Sequence, residues 1–85
     1  MILISYAILT SSNKKEIRVK NDHDALQIAM EVLENDEVRY YEVISIVRME
    51  ELQSTTVIVE THTLNISLEI DNTTGKIICK EKLIA

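Results

Sequence analysis

Two histidines, one cysteine and scattered carboxylates are the candidates for chemistry in this chain of 85 residues. His23 lies in Asp22-His23-Asp24 and His62 in Glu60-Thr61-His62. A bound metal needs several such donors to converge, and neither an H-x-H nor an H-E-x-x-H spacing is present. Cys79 would need a neighbouring base to act as a nucleophile. It shares an expected strand face with Ile77, which predicts a buried, inert thiol. No serine sits in a G-x-S-x-G elbow, and a single glycine, Gly75, excludes a glycine-rich phosphate loop. Acid–base work by Glu50 and Glu51 would require an apolar pocket to raise one pKa, and none is evident. No catalytic, cofactor-binding or metal-binding residue is therefore expected. Binding is the expected kind of function.

Contact residues are better represented. Tyr40-Tyr41 is the most distinctive local feature, because adjacent strand residues face opposite ways and one ring is left for an interface beside Arg39 and Glu42. Met49 to Ser54, which contains Glu50 and Glu51, is expected to be a loop or short helical turn between strands, a common place for recognition. Tyr40, Tyr41, Glu50 and Glu51 are the candidate interface residues.

The charge balance narrows the partner. There are 14 acidic and 9 basic residues, a formal net charge of −5 at pH 7. Nucleic acid is not the expected partner, since phosphate binding requires a basic face. A basic protein is compatible with it. One cysteine excludes an internal disulfide. The opening apolar run, Met1 to Leu9, is too short to span a bilayer and lacks the basic flank of a signal peptide, so a cytoplasmic protein without membrane contact is expected.

These residues must be positioned by one small domain, 1–85, since the length allows a single core. Its organising element is a helix over Asp22–Asn35. Ala25, Ala29 and Val32 recur at helical spacing, Leu26, Ile28 and Leu33 widen the stripe, and Asn21 or Asp22 caps the first turn. Strands are expected elsewhere. Met1 to Thr10 and Lys15 to Lys20 form a hairpin before the helix. Val38 to Arg48 follows it, with a break in alternation near Ile46-Val47 that suggests a bulge or a strand buried on both faces. Thr55 to Thr63 comes next, then Leu64 to Asp71 and Ile77 to Ile84, joined through Asp71-Asn72-Thr73-Thr74-Gly75. The expected class is α+β, an antiparallel β-sheet in the order β-β-α-β-β-β, counting as many as six strands, with one helix packed on one face. Leu3, Leu9, Val57 and Val59 are expected on the opposite face, which a second subunit would cover.

Asp24 to Leu33, Tyr41-Glu42-Val43 and Ile66 to Lys80 together resemble the PepSY repeat pattern, in which a helix is followed by strands ending in a D-x-x-T-G hairpin. The resemblance covers about two-thirds of the chain. It implies an inhibitory or ligand-sensing binding role, in a family that is mostly extracytoplasmic and often attached to peptidases or sensor proteins.

The expected function is that of a small non-catalytic interaction protein, and a phage- or mobile-element-encoded inhibitor of a host protein fits the size and charge. Ile, Lys, Asn and Glu usage with little Gly and no Pro is associated with a low-GC bacterium or its phage. Two alternatives stand beside it: a small-ligand binder with its site at a homodimer interface, and a PepSY-like regulatory module.

Overall fold

The computed structural model describes residues 17–84. The expected strand over Met1 to Thr10 and the start of the one over Lys15 to Lys20 lie outside these residues. Helix α1 spans Asp22–Asn35, as its periodicity predicts. Asn21 caps it from an extended backbone. Its Oδ1 accepts the Asp24 N–H at 2.9 Å, while Asp24 Oδ2 accepts the Lys20 N–H at 2.9 Å. One orphan donor of the first turn is thereby satisfied, and the residue before the cap is tied to the helix as well. At the other end the Val38 N–H reaches the Leu33 carbonyl (2.9 Å) and the Glu37 N–H the Glu34 carbonyl (3.0 Å). This closure needs a left-handed residue and usually recruits glycine. Here Glu37 supplies it, with φ 64°.

Four strands follow: β1 (Glu42–Met49), β2 (Ser54–Glu60), β3 (Leu64–Asp71) and β4 (Ile77–Ile84). They pair in sequence order and all antiparallel, so the molecule is an α+β sheet with one packed helix. All four segments expected as strands after the helix are strands, one more than the order β-β-α-β-β-β writes there. Each connection is a tight loop with its own chemistry. Gln53 (φ 51°) closes the first, and the Thr61 hydroxyl accepts the Leu64 N–H in the second. In the third, Asp71 Oδ1 accepts the Thr73 N–H, and Gly75 (φ 77°) turns the chain back.

Ala25, Ile28, Ala29 and Leu33 of α1 are buried with Val57 and Val59 of β2 and Ile66, Leu68 and Ile70 of β3. Each large aliphatic buried here contributes roughly 1.5–3 kcal/mol relative to exposure. Val57 and Val59 therefore line the helix-covered face, not the opposite one as expected. The alternation in Thr-Val-Ile-Val-Glu is too even for sequence to say which side α1 takes; pairing with Leu68 and Ile66 decides it.

Two bulges correct two further expectations. In β1 the irregularity falls between Val43 and Ser45, earlier than Ile46-Val47, and leaves Ile44 as the extra residue. In β4, Ile77 pairs with Ile70 but Cys79 pairs with Glu69, so Ile78 is the extra residue. One inserted residue reverses the facing of everything beyond it. Cys79 consequently lies on the face away from Ile77 and is exposed, not buried.

Boundaries shift as well. Val38 to Tyr41 precedes β1 as an irregular crossing, and β2 ends at Glu60, leaving Thr61 to Thr63 as loop. Ile17 to Lys20 is extended but belongs to no strand. The Ile17 N–H donates to the Thr74 carbonyl (3.0 Å) and the Val19 N–H to that of Asn72 (2.7 Å). Asn72 is the junction of this end. Its N–H donates to the Gln53 carbonyl (2.8 Å), and its Oδ1 accepts the buried Thr55 hydroxyl at 2.6 Å.

Candidate functional site

The residues with catalytic potential stand apart. His23 is exposed in the first turn of α1, and His62 is exposed in the β2–β3 loop. Cys79 lies opposite Glu69, five residues along β3 from Leu64, about 17 Å of strand from the loop that holds His62. Among the described residues no three His, Cys, Asp or Glu side chains are grouped to hold a metal ion. No helix there is long and apolar enough to cross a membrane.

The four candidate interface residues fall into two places. Tyr40 and Tyr41 precede β1, whereas Glu50 and Glu51 follow it. The eight residues between them span about 26 Å. Glu50 is occupied in part, its Oε2 pairing with Arg48 Nε at 2.9 Å, and Arg48 also donates to the Val19 carbonyl at 2.9 Å. Arg18, Lys20 and Arg48 gather around this end beside Asn72. A run of acidic residues forms a second flank.

That acidic flank is α1. Asp22, Asp24, Glu31, Glu34, Asp36 and Glu37 fall within it or just beyond, and no Lys or Arg interrupts them. Asp36 is neutralised across the fold by Lys80 Nζ at 2.6 Å. Glu31, Glu34 and Glu37 have no ion-pair partner among the described residues. They border a groove of about 830 Å³ with Asp24 and Gln27, and Arg39 stands among them. Ile17, Ile28, Met30, Val38 and Tyr41 supply its apolar lining. Met30 and Ile17 are large apolar side chains about half exposed, at 43% and 50%. A groove with an apolar floor and an anionic rim suits an amphipathic cationic segment.

The sequence signal for this groove was legible but easily passed over. Glu31, Glu34 and Glu37 recur at a spacing of three, with no basic residue at i+4 to neutralise them. Glu37 could not be anticipated at a left-handed position, since that conformation is marked by Gly or Asn.

Tyr41 is shared between this groove and a second cleft of about 320 Å³ at the end of the sheet. Tyr40, Tyr41, Glu42, Glu60, Thr61 and His62 line it. Tyr41 is half-buried against the core, while Tyr40 is 75% exposed. One ring of the pair thus faces the core and the other solvent, although both precede β1 and strand alternation does not set their facing.

Comparison with family models, with curated proteins and with solved structures finds no match to this chain.

Proposed function

We propose that this protein is a non-catalytic binding module that receives a basic, amphipathic segment of a partner protein in the groove along α1. The supporting observation is the set of Glu31, Glu34 and Glu37, which have no ion-pair partner among the described residues, beside the half-exposed Met30 and Ile17. Lone surface glutamates would be ordinary. Carboxylates bordering exposed Met30 and half-buried Val38 combine steering with a desolvated contact. Glu37 adds weight, because a left-handed glutamate is less stable than the glycine that this helix end normally takes. By covering a partner's basic segment, the module would act as an inhibitor or a regulator. An inhibitor encoded by a phage or mobile element would act in this way.

The test uses defined peptides and fluorescence anisotropy. A helical peptide of lysine and leucine should bind, and one with glutamate in place of lysine should not. The charge reversal Glu31→Lys with Glu34→Lys should weaken binding at least about tenfold, a loss of 1.4 kcal/mol. Met30→Glu separates docking from simple attraction. Added negative charge would tighten a purely electrostatic association, whereas loss of the apolar floor should weaken a docked one. Tighter binding by Met30→Glu, or equal binding of both peptides, overturns the proposal.

A further inference from the structure

We infer that the cleft bounded by Arg18, Lys20, Arg48 and Asn72 is a site for a dianionic phosphate group, free or carried as a monoester. The chain has a net charge of −5, yet three of its cations line this one cleft of about 320 Å³. Their placement follows from the backbone. Val19 is buried, and alternation along the extended segment turns both of its neighbours, Arg18 and Lys20, outward on one side. Neither has an ion-pair partner among the described residues. Arg48 is fixed by two bonds, from Nη1 to the Val19 carbonyl and from Nε to Glu50, both at 2.9 Å. Its Nη2 has no acceptor among the described residues. Glu50 is the one carboxylate of the lining, so two positive charges stand in excess. A phosphate monoester, at about −1.5 to −2 near neutral pH, balances them.

Charge alone would make only a diffuse counter-ion patch. Asn72 makes the cleft directional. Its side chain lines the cleft although the residue is only 9% exposed. Its Oδ1 is occupied by the buried Thr55 hydroxyl at 2.6 Å, which leaves the Nδ2 donors on the cleft side with no acceptor among the described residues. An oxyanion satisfies a buried amide donor of this kind. Thr73 adds a hydroxyl at the same rim. A closed ring of contacts holds the parts in register. The Val19 N–H donates to the Asn72 carbonyl at 2.7 Å, Asn72 takes the Thr55 hydroxyl, Thr55 pairs directly with Arg48, and Arg48 returns to the Val19 carbonyl. Donors thus converge from the extended segment, from β1 and from the β3–β4 turn. A phosphate offers oxygens in several directions to such a set, whereas a carboxylate offers two in one plane and a single charge.

The experiment is a backbone amide NMR titration of the full chain at neutral pH and constant ionic strength. Inorganic phosphate, N-acetyl-phosphoserine amide and acetate are the separate probes. Saturable shifts centred on Val19, Lys20, Asn72 and Thr73 are expected with phosphate, at a Kd on the order of millimolar. Tighter binding of the phosphoserine compound supports the site and assigns it to a phosphorylated molecule; tighter binding of inorganic phosphate supports it and assigns it to the free anion. Acetate should bind at least about tenfold more weakly. Arg18→Gln with Lys20→Gln should lower phosphate affinity at least about tenfold, since both side chains are exposed and their loss leaves the fold intact. Lys82→Gln removes a charge opposite Ile66, toward the far end of β3, and should leave the affinity unchanged. Asn72→Asp keeps an acceptor for Thr55 but removes the amide donor, so binding should be lost while the melting temperature is retained. Absent or diffuse shifts, acetate binding equal to that of phosphate, or an equal loss in Lys82→Gln overturns the inference.

Discussion

Replacing Gly75 with alanine should cost more than any substitution at the molecular surface nearby. Gly75 has φ 77°, and a Cβ built on it would lie 2.4 Å from the Ile17 carbonyl oxygen and 3.2 Å from Ile17 Cβ and Ile28 Cδ1. The left-handed conformation alone costs an L-residue about 1–2 kcal/mol. The contact with Ile17 is to backbone, so rotating a side chain cannot relieve it. The extended segment must lift, which loosens the Ile17 to Thr74 and Val19 to Asn72 hydrogen bonds. Each is worth about 0.5–1.5 kcal/mol, and the two sources together give a loss of roughly 2–5 kcal/mol. A domain of 85 residues has about 4–13 kcal/mol in total, so the variant would stand near its folding limit. Urea denaturation followed by circular dichroism should show the midpoint falling by roughly 1–3 M. Hydrogen exchange should accelerate first at the Ile17 and Val19 amides. Gly75→Asn separates the two causes, because asparagine tolerates φ above zero yet carries the same Cβ. If contact with Ile17 dominates, it should lose nearly as much as alanine. A Gly75→Ala unfolding free energy within about 0.5 kcal/mol of the parent, with unchanged exchange at Ile17 and Val19, would refute the reasoning.

Glu37→Gly should stabilise the fold by up to about 1 kcal/mol while weakening the lysine–leucine peptide, since it relieves the left-handed backbone and removes a rim carboxylate. Denaturation and anisotropy on one preparation check both signs, and a destabilised variant or one with full peptide affinity contradicts the assignment. Cys79 should react with an aromatic disulfide reagent in the folded protein at close to its rate in denaturant, because the bulge at Ile78 turns it outward. Strong protection in the native state would show that β4 runs without the bulge.

The parts of this molecule legible in sequence are those set by local physics. The α1 limits followed from a 3.6-residue period and a capping side chain at Asn21, both contained within a few residues. Leu64 to Asp71 alternated without a break, and the Asp71–Gly75 turn carried its own hydrogen-bonding side chains and its one permissive residue. Tyr40 and Tyr41 were expected to face opposite ways as strand neighbours, but both precede β1, so strand alternation does not set their exposure. Composition carried the acidity of the chain, though not its distribution. Tertiary structure decided everything that depended on pairing. The side on which Val57 and Val59 lie follows from Ile66 and Leu68 across β3, and the exposure of Cys79 from one extra residue in β4. Separation of the Tyr40 and Glu50 regions follows from the intervening strand, and the opposition of Glu42 to Glu60 from the register of the β1–β2 hairpin, which the extra residue Ile44 shifts by one. A side chain's facing in a sheet has period two, so a single-residue shift reverses it, and only the paired strand determines that shift.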